Sequence, residues 1–233
     1  MEDDIIIRGE NVVKIYDTGK IKVNAMNGID IMVKKGEMVS IMGPSGCGKT
    51  TLLNCFSGID DATSGRILIE NQDLMKMDDN QKSRHRAKRM GFIFQNYNLL
   101  PVLSAVENVE LPLLVTGVKP AEARRKAEEM LRLVGLEKRT NFKPSELSGG
   151  EQQRVTIARS LVNDPAIIWA DEPTGNLDAE TSRQIMDLLC NLNKEEGQTF
   201  IVVSHDSTVG DRADRVLKMR DGKIEKEYVP VRT

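Results

Sequence analysis

Met38-Val39-Ser40-Ile41-Met42-Gly43-Pro44-Ser45-Gly46-Cys47-Gly48-Lys49-Thr50 decides the fold. The first five residues form an apolar run of strand length bounded by glycine, as a strand buried inside a sheet requires. The next eight match G-x-x-x-x-G-K-[ST] in full, and a helical pattern follows over 49–57. Strand, glycine loop and helix in this order make a cradle for phosphates. Glycines let backbone N–H groups curl around phosphate oxygens, and the helix N-terminus adds roughly half a positive charge. Lys49 can reach β- and γ-phosphates, and the Thr50 hydroxyl can ligate Mg²⁺. The nucleotide-binding candidates are Gly43, Pro44, Ser45, Gly46, Cys47, Gly48, Lys49, Thr50 and Thr51. Such a loop alone does not choose among kinases, GTPases, helicases and transport ATPases.

Upstream, short β-rich runs occupy 5–8, 12–16 and 29–33. Downstream, 65–70 and 89–94 read as strands. Between 96 and 161 alternation gives way to helical periodicity, and 121–134 places Ala123, Ala127, Met130, Leu131 and Val134 on one face. Pro112, Gly117 and Pro120 are expected to break this region into pieces. The α/β rhythm then resumes, with strands at 166–170 and 199–203 around a helix at 180–196. Asp221-Gly222 between β-rich 215–220 and 223–228 predicts a hairpin. The expected architecture is an α/β P-loop core with a parallel sheet, an antiparallel β layer near the N-terminus and an inserted α-helical subdomain. All of 1–233 forms one domain, with 1–95 and 162–233 as the core and 96–161 as the helical insert.

Ile167-Ile168-Trp169-Ala170 runs into Asp171-Glu172. A buried strand ending in acid offers carboxylates at the sheet's carboxyl edge, where ligands bind in such folds. Asp171 is placed to hold Mg²⁺ and Glu172 to polarise an attacking water. Further upstream, Leu147-Ser148-Gly149-Gly150-Glu151-Gln152 opens a helical run. Ser148 and Glu151 form a capping box. Capping does not ask for adjacent glycines, each of which lowers helix propensity by roughly 1 kcal/mol. Glycines at a helix N-terminus allow close approach to an anion, so this peptide reads as a second phosphate-binding element.

The peptide LSGGEQ, together with the phosphate loop and the Asp171-Glu172 strand end, closely resembles the ATPases of ABC transporters. The resemblance covers nearly the whole chain, and LSGG[Q/E]Q about a hundred residues after the loop is highly specific for that family. Asp171-Glu172-Pro173-Thr174-Gly175-Asn176-Leu177-Asp178 and the segment Gly91-Phe92-Ile93-Phe94-Gln95-Asn96-Tyr97-Asn98-Leu99-Leu100 are similar to the branch of macrolide exporters, lipoprotein-releasing systems and antimicrobial-peptide resistance pumps.

What the resemblance implies can be carried over residue by residue. Gln95 matches the glutamine that senses Mg²⁺ and the γ-phosphate, and His205 the histidine that contacts the γ-phosphate. Tyr16 matches the aromatic that stacks on adenine, and Asp178 the aspartate of the loop crossing the dimer interface. The implied catalytic set is Glu172, His205, Gln95 and Lys49, with Thr50, Gln95 and Asp171 at the metal. Nucleotide contacts extend to Ser148, Gly149, Gly150 and Glu151 of a second subunit. The implied cofactors are ATP and Mg²⁺. The implied partners are a second copy, joined head to tail on ATP binding, and a separate transmembrane permease. The implied location is the cytoplasmic face of the cell membrane, reached through that permease, with export or extraction as the branch's direction.

Composition fits this reading. Lys and Arg total 33 against 35 Asp and Glu, a net charge of −2 that argues against a general polyanion binder. With 4% aromatic residues, stacking platforms for nucleic acid are scarce, so none is expected as a partner. Three cysteines, Cys47, Cys55 and Cys190, show no C-x-x-C spacing, which predicts neither disulfides nor zinc. The acidic start, Met-Glu-Asp-Asp, lacks a leader's basic and apolar pattern, and no run reaches the ~18 apolar residues of a membrane span. DNA-repair and chromosome-organising ATPases share these motifs but carry a long coiled coil between them, and translation factors of this type carry two cassettes. The basic run Arg84-His85-Arg86-Ala87-Lys88-Arg89 reads as a solvated helix face. Cys47 reads as a small packed residue. Leu99-Leu100-Pro101-Val102-Leu103 fits either subdomain core or the rim of a groove receiving a membrane subunit.

Overall fold

A computed structural model describes residues 4–230. Met1, Glu2 and Asp3, on which most of the acidic start rests, lie outside the described residues. The chain begins with a long antiparallel pair, β1 (Ile5–Asp17) and β2 (Lys22–Lys34). The expected strands at 5–8 and 12–16 are one strand, irregular in register between Gly9 and Val12. Polar residues alternate outward along these strands, so composition alone marked only their apolar cores. β3 (Met38–Met42) leads into α1 (Lys49–Phe56). β4 (Ser64–Ile69) and the short β5 (Gln72–Asp73) complete a four-stranded antiparallel sheet, ordered β2-β1-β4-β5.

α2 (Asp79–Arg89) precedes β6 (Met90–Phe94). Three helices follow: α3 (Ala105–Val115), α4 (Pro120–Leu133) and α5 (Gly149–Leu161). Pro112 does not break the chain as expected. α3 runs through it to Val115, giving up only the bond that its missing N–H would have made to the Asn108 carbonyl. Gly117 has φ +88 and ends the helix, and Pro120 opens the next one, as expected. The face predicted for α4 is buried at Ala123, Ala127 and Leu131, with Val134 just beyond.

β7 (Ile167–Asp171), α6 (Ala179–Glu196) and β8 (Thr199–Ser204) restore the alternation. A single-turn helix, α7 (Ser207–Gly210), then leads to the hairpin of β9 (Arg215–Arg220) and β10 (Lys223–Tyr228). The second sheet is ordered β10-β9-β3-β8-β7-β6. Five of its strands are parallel, and β10 pairs antiparallel with β9 at one edge. Every residue of β3 and β8 is buried, as a parallel sheet covered on both faces demands. Alternate residues feed two cores. Ile168, Ala170 and Val202 face α3, α4, α5 and α6, whereas Trp169, Ile201 and Ile41 face α1 and the antiparallel sheet.

The basic run is not simply a solvated face. Arg84 and Lys88 are exposed, but His85 is buried, Arg86 donates to the Gly58 carbonyl, and Arg89 clamps Glu70 with two bonds of 2.7 and 2.6 Å. The apolar segment after Gln95 divides: Leu99 packs on the core, while Leu100 and Val102 are exposed.

Candidate active site

The carboxyl ends of β3, β8, β7 and β6 lie side by side, and each delivers one part of the site. That is where open α/β sheets bind ligands. β3 ends at the glycine loop, and α1 begins immediately after it. Gly48 caps α1 with φ +107, a conformation L side chains rarely adopt, and a Cβ there would collide with the Ala25 carbonyl. No side chain among the described residues caps this helix, and its first turn holds no acid. Its first amides are therefore left for an external anion. Lys49 is buried inside the loop's own curl, donating to the Gly43 carbonyl at 2.8 Å and the Pro44 carbonyl at 3.1 Å.

The Thr50 hydroxyl stands 3.5 Å from both oxygens of Asp171, the last residue of β7. Burial, reinforced by the neighbouring Glu172 charge, pushes the Asp171 carboxyl up from its ordinary value, against the pull of Thr50 and Lys49. A hydroxyl converging on a carboxylate that is destabilised in its charged form is the donor set of a hard divalent cation with few protein ligands. The described residues include no cluster of three or more His, Cys, Asp and Glu side chains fit for a metal.

Glu172 has φ +48, a strained setting for a residue with a Cβ. Its N–H donates to the Val203 carbonyl at 2.9 Å, which locks the bend. One carboxylate oxygen accepts from the Ser204 hydroxyl at 3.2 Å, and the other lies 2.8 Å from Nδ1 of His205. With the proton on Nδ1, the imidazole donates to Glu172 and leaves Nε2 free to face a substrate. Gln95, just after β6, is tied to Asn176. Its Nε2 donates to Asn176 Oδ1 at 3.3 Å, and its own carbonyl accepts from Asn176 Nδ2 at 2.9 Å.

These groups line one cleft of about 690 Å³, with Tyr16 at its outer end. The structure thus brings together Tyr16, Ser45, Gly46, Cys47, Gly48, Lys49, Thr50, Thr51, Gln95, Asp171, Glu172 and His205. Gly43 and Pro44 contribute carbonyls to Lys49 instead. The Cys47 thiol is buried.

Ser148, Gly149, Gly150, Glu151 and Asp178 do not line that cleft. Ser148 caps α5 in a complete capping box. The Glu151 N–H donates to its hydroxyl at 3.3 Å, and its own N–H donates to Glu151 at 2.9 Å. The other Glu151 oxygen accepts from Arg139 at 2.9 Å, so Glu151 is fully engaged within the subunit. The glycines have a packing role that the sequence did not reveal. A Cβ on Gly150 would sit 2.5 Å from Thr181 Cγ2, and one on Gly149 would sit 2.9 Å from the Tyr97 hydroxyl oxygen. Asp178 caps α6, accepting from the N–H groups of Glu180 and Thr181.

Sequence reasoning missed Ser204, Asn176 and Arg159. Arg159 of α5 donates to the carbonyls of Tyr97 and Asn98, at 2.9 and 2.6 Å, and so holds the loop after Gln95. Each partner lies tens of residues away in sequence. The strand-end position of Ser204, next to His205, was the one signal available.

Phosphate loop, acidic strand end and topology together define a P-loop nucleoside triphosphatase. Residues 26–175 match the family model described as ABC transporter. The chain is 48% identical over 215 residues to an uncharacterized ABC transporter ATP-binding protein of Thermotoga maritima, covering 92% of each. It is 46% identical to the ABC transporter ATP-binding protein MJ0796 of Methanocaldococcus jannaschii, over 95% of this chain and 96% of that one. Its fold matches a dimeric structure of MJ0796 in a post-hydrolysis state bound to ADP and Pi. The TM-score is 0.88 at 43% identity, over 96% of this chain and 98% of that chain. It also matches cbiO1 of Clostridium perfringens, part of the ABC transporter complex cbiONQ. There the TM-score is 0.87 at 30% identity, over 97% and 89%. The chain belongs to the ABC transporter family, as an ATP-binding and ATP-hydrolysing cassette.

Proposed function

We propose that this cassette binds Mg-ATP in the 690 Å³ cleft, pairs head to tail with a second copy around the nucleotide, and drives a separate transmembrane permease. The observation that carries the reading is that one chain holds two phosphate-binding stations that do not meet. The capped, glycine-lined start of α5 takes no part in lining the cleft that contains Lys49. In a head-to-tail pair, 148–150 of one subunit closes over the triphosphate held by the loop of the other, with Asp178 at the interface. The dimeric relative supports that pairing.

Within the site, Lys49 exchanges the Gly43 and Pro44 carbonyls for the β- and γ-phosphates, and the first amides of α1 hold the same group. Tyr16 stacks on the adenine. Thr50 and Asp171 hold Mg²⁺, and Gln95 reaches toward it on leaving Asn176. When bound, the ion supplies positive charge to the phosphate oxygens. Glu172 accepts a proton from the attacking water as its oxygen bonds to the γ-phosphorus and the bond to ADP breaks. His205 and Ser204 keep that carboxylate aimed.

Residues 96–161 act as a helical arm that follows the nucleotide state. A cleft of about 400 Å³ between β6 and α5, lined by Phe92, Phe94, Asn98 and Arg159, offers the permease its seat, and Leu100 and Val102, exposed a few residues after Asn98, are apolar contacts for it. No helix among the described residues is long and apolar enough to cross a membrane. In this reading it is the separate permease that places the cassette at the cytoplasmic face. The branch resemblance supports export or extraction of a membrane substrate.

Lys49→Ala tests the site directly. Mg-dependent ATP hydrolysis should fall at least about a hundredfold while the far-UV spectrum is unchanged. Wild-type turnover in a folded variant would overturn the assignment.

A further inference from the structure

Tyr16 is held in place chiefly by groups outside the cleft, with the Thr51 side chain inside it also bonding its hydroxyl. Its hydroxyl donates to Asp60 Oδ2 at 2.8 Å. The other oxygen of Asp60 accepts from Lys14 Nζ at 2.7 Å, and Lys14 also donates to the Asp61 carbonyl at 2.7 Å. The Lys14 ammonium lies 4.7 Å from the centre of the Tyr16 ring and covers one face, and Tyr16 as a whole stays 39% exposed. Asp60 is fixed in turn. Its N–H donates to the Asn54 carbonyl at 3.1 Å, at the C-terminal end of α1. One helix therefore carries the phosphate amides at its start and the anchor of the ring at its end.

An exposed tyrosine free to rotate would lose side-chain freedom when a base settles on it, at a cost in affinity. A ring already oriented avoids that cost. We propose that Asp60, supported by Lys14, is a positioning residue for nucleobase recognition. It fixes the Tyr16 ring at a set distance from the phosphate loop. The inference rests on the reading of Tyr16 as the base platform.

Calorimetric titration of the full chain with Mg-ATP, and separately with Mg-tripolyphosphate, tests it. The tripolyphosphate carries the phosphates without a base. Tyr16→Phe keeps the ring and removes its bond to Asp60. Asp60→Asn keeps the size and removes the charge. Each should weaken ATP binding about three- to tenfold, and the double variant should be no worse than either single one. Tripolyphosphate affinity should stay as in the wild type. A general structural effect would lower both ligands together, and that result would overturn the proposal. Tyr16→Ala separates the two levels. If it loses ATP affinity while Tyr16→Phe and Asp60→Asn do not, the anchor is idle and the proposal falls, with the platform intact. If Tyr16→Ala itself binds ATP normally, the platform reading falls, and the proposal with it.

Discussion

At the scale of single residues, the site is a set of side chains held in place by neighbours distant in sequence. Glu172 shows this best. The sequence marked it because it follows a buried strand, and strand ends are where such sheets work. What the sequence could not show was its φ of +48 or the two holders, Ser204 and His205, which arrive on the adjacent strand β8. The phosphate loop was readable to the residue because its function lies in local backbone shape, which glycine spacing encodes directly. Glu172's aim lies in tertiary pairing, which spacing does not encode. A hydroxyl donating to a carboxylate contributes about 1.5–3 kcal/mol. Ser204→Ala should therefore lower kcat by about tenfold, with KM for ATP little changed. Steady-state kinetics check this, and an unchanged kcat would show that His205 alone is sufficient.

At the scale of elements, legibility followed hydrophobic contrast. β3 was found to the residue, β7 to within one residue, and the face of α4 in full, because burial wrote strong periods into them. α2 was reduced to a basic run because its charged sequence presents no apolar stripe. The side chains it buries are Lys82 and His85. Burial holds the His85 imidazole below its ordinary 6.5, with Arg89 pushing the same way and Glu70 opposing. The unfolded chain thus takes up a proton first as pH falls past 6.5, so stability declines from there downward. His85→Gln should flatten the loss of denaturant midpoint between about pH 7.5 and 5.5. Equal losses in both proteins would remove His85 from the account. The start of α5 makes a second element-level case. Gly150→Ala gains helix propensity but drives a Cβ to 2.5 Å from Thr181 Cγ2. The clash should win by about 1 kcal/mol in urea unfolding, and Thr181→Ser, which removes that methyl group, should restore stability. A variant at least as stable as the wild type would mean that the glycine pair serves the anion alone.

At the scale of the whole molecule, the fold is half of a machine. One chain gathers the loop, the acids, the glutamine and the histidine around one cleft. It places the Ser148 peptide elsewhere, fully capped and turned outward. That division was already visible in the sequence as two anion-binding elements, which the family resemblance assigned to facing subunits, and within one subunit the coordinates keep them out of a common cleft. In the proposed function, ATP acts as the glue between subunits, and hydrolysis leaves like charges on ADP and phosphate that push the halves apart. The most direct test is size-exclusion chromatography of Glu172→Gln with ATP. The amide preserves shape but cannot accept a proton, so general-base assistance worth ~10²–10⁴-fold is lost and the ATP-bound dimer persists. The account predicts a shift from monomer to dimer with Mg-ATP and little or none with ADP. It also predicts no shift when Ser148→Arg is added, because the arginine occupies the place of the partner's γ-phosphate. Glu172→Gln protein that hydrolyses ATP at the wild-type rate, remains monomeric with ATP bound, or still dimerises with Ser148→Arg present would contradict it.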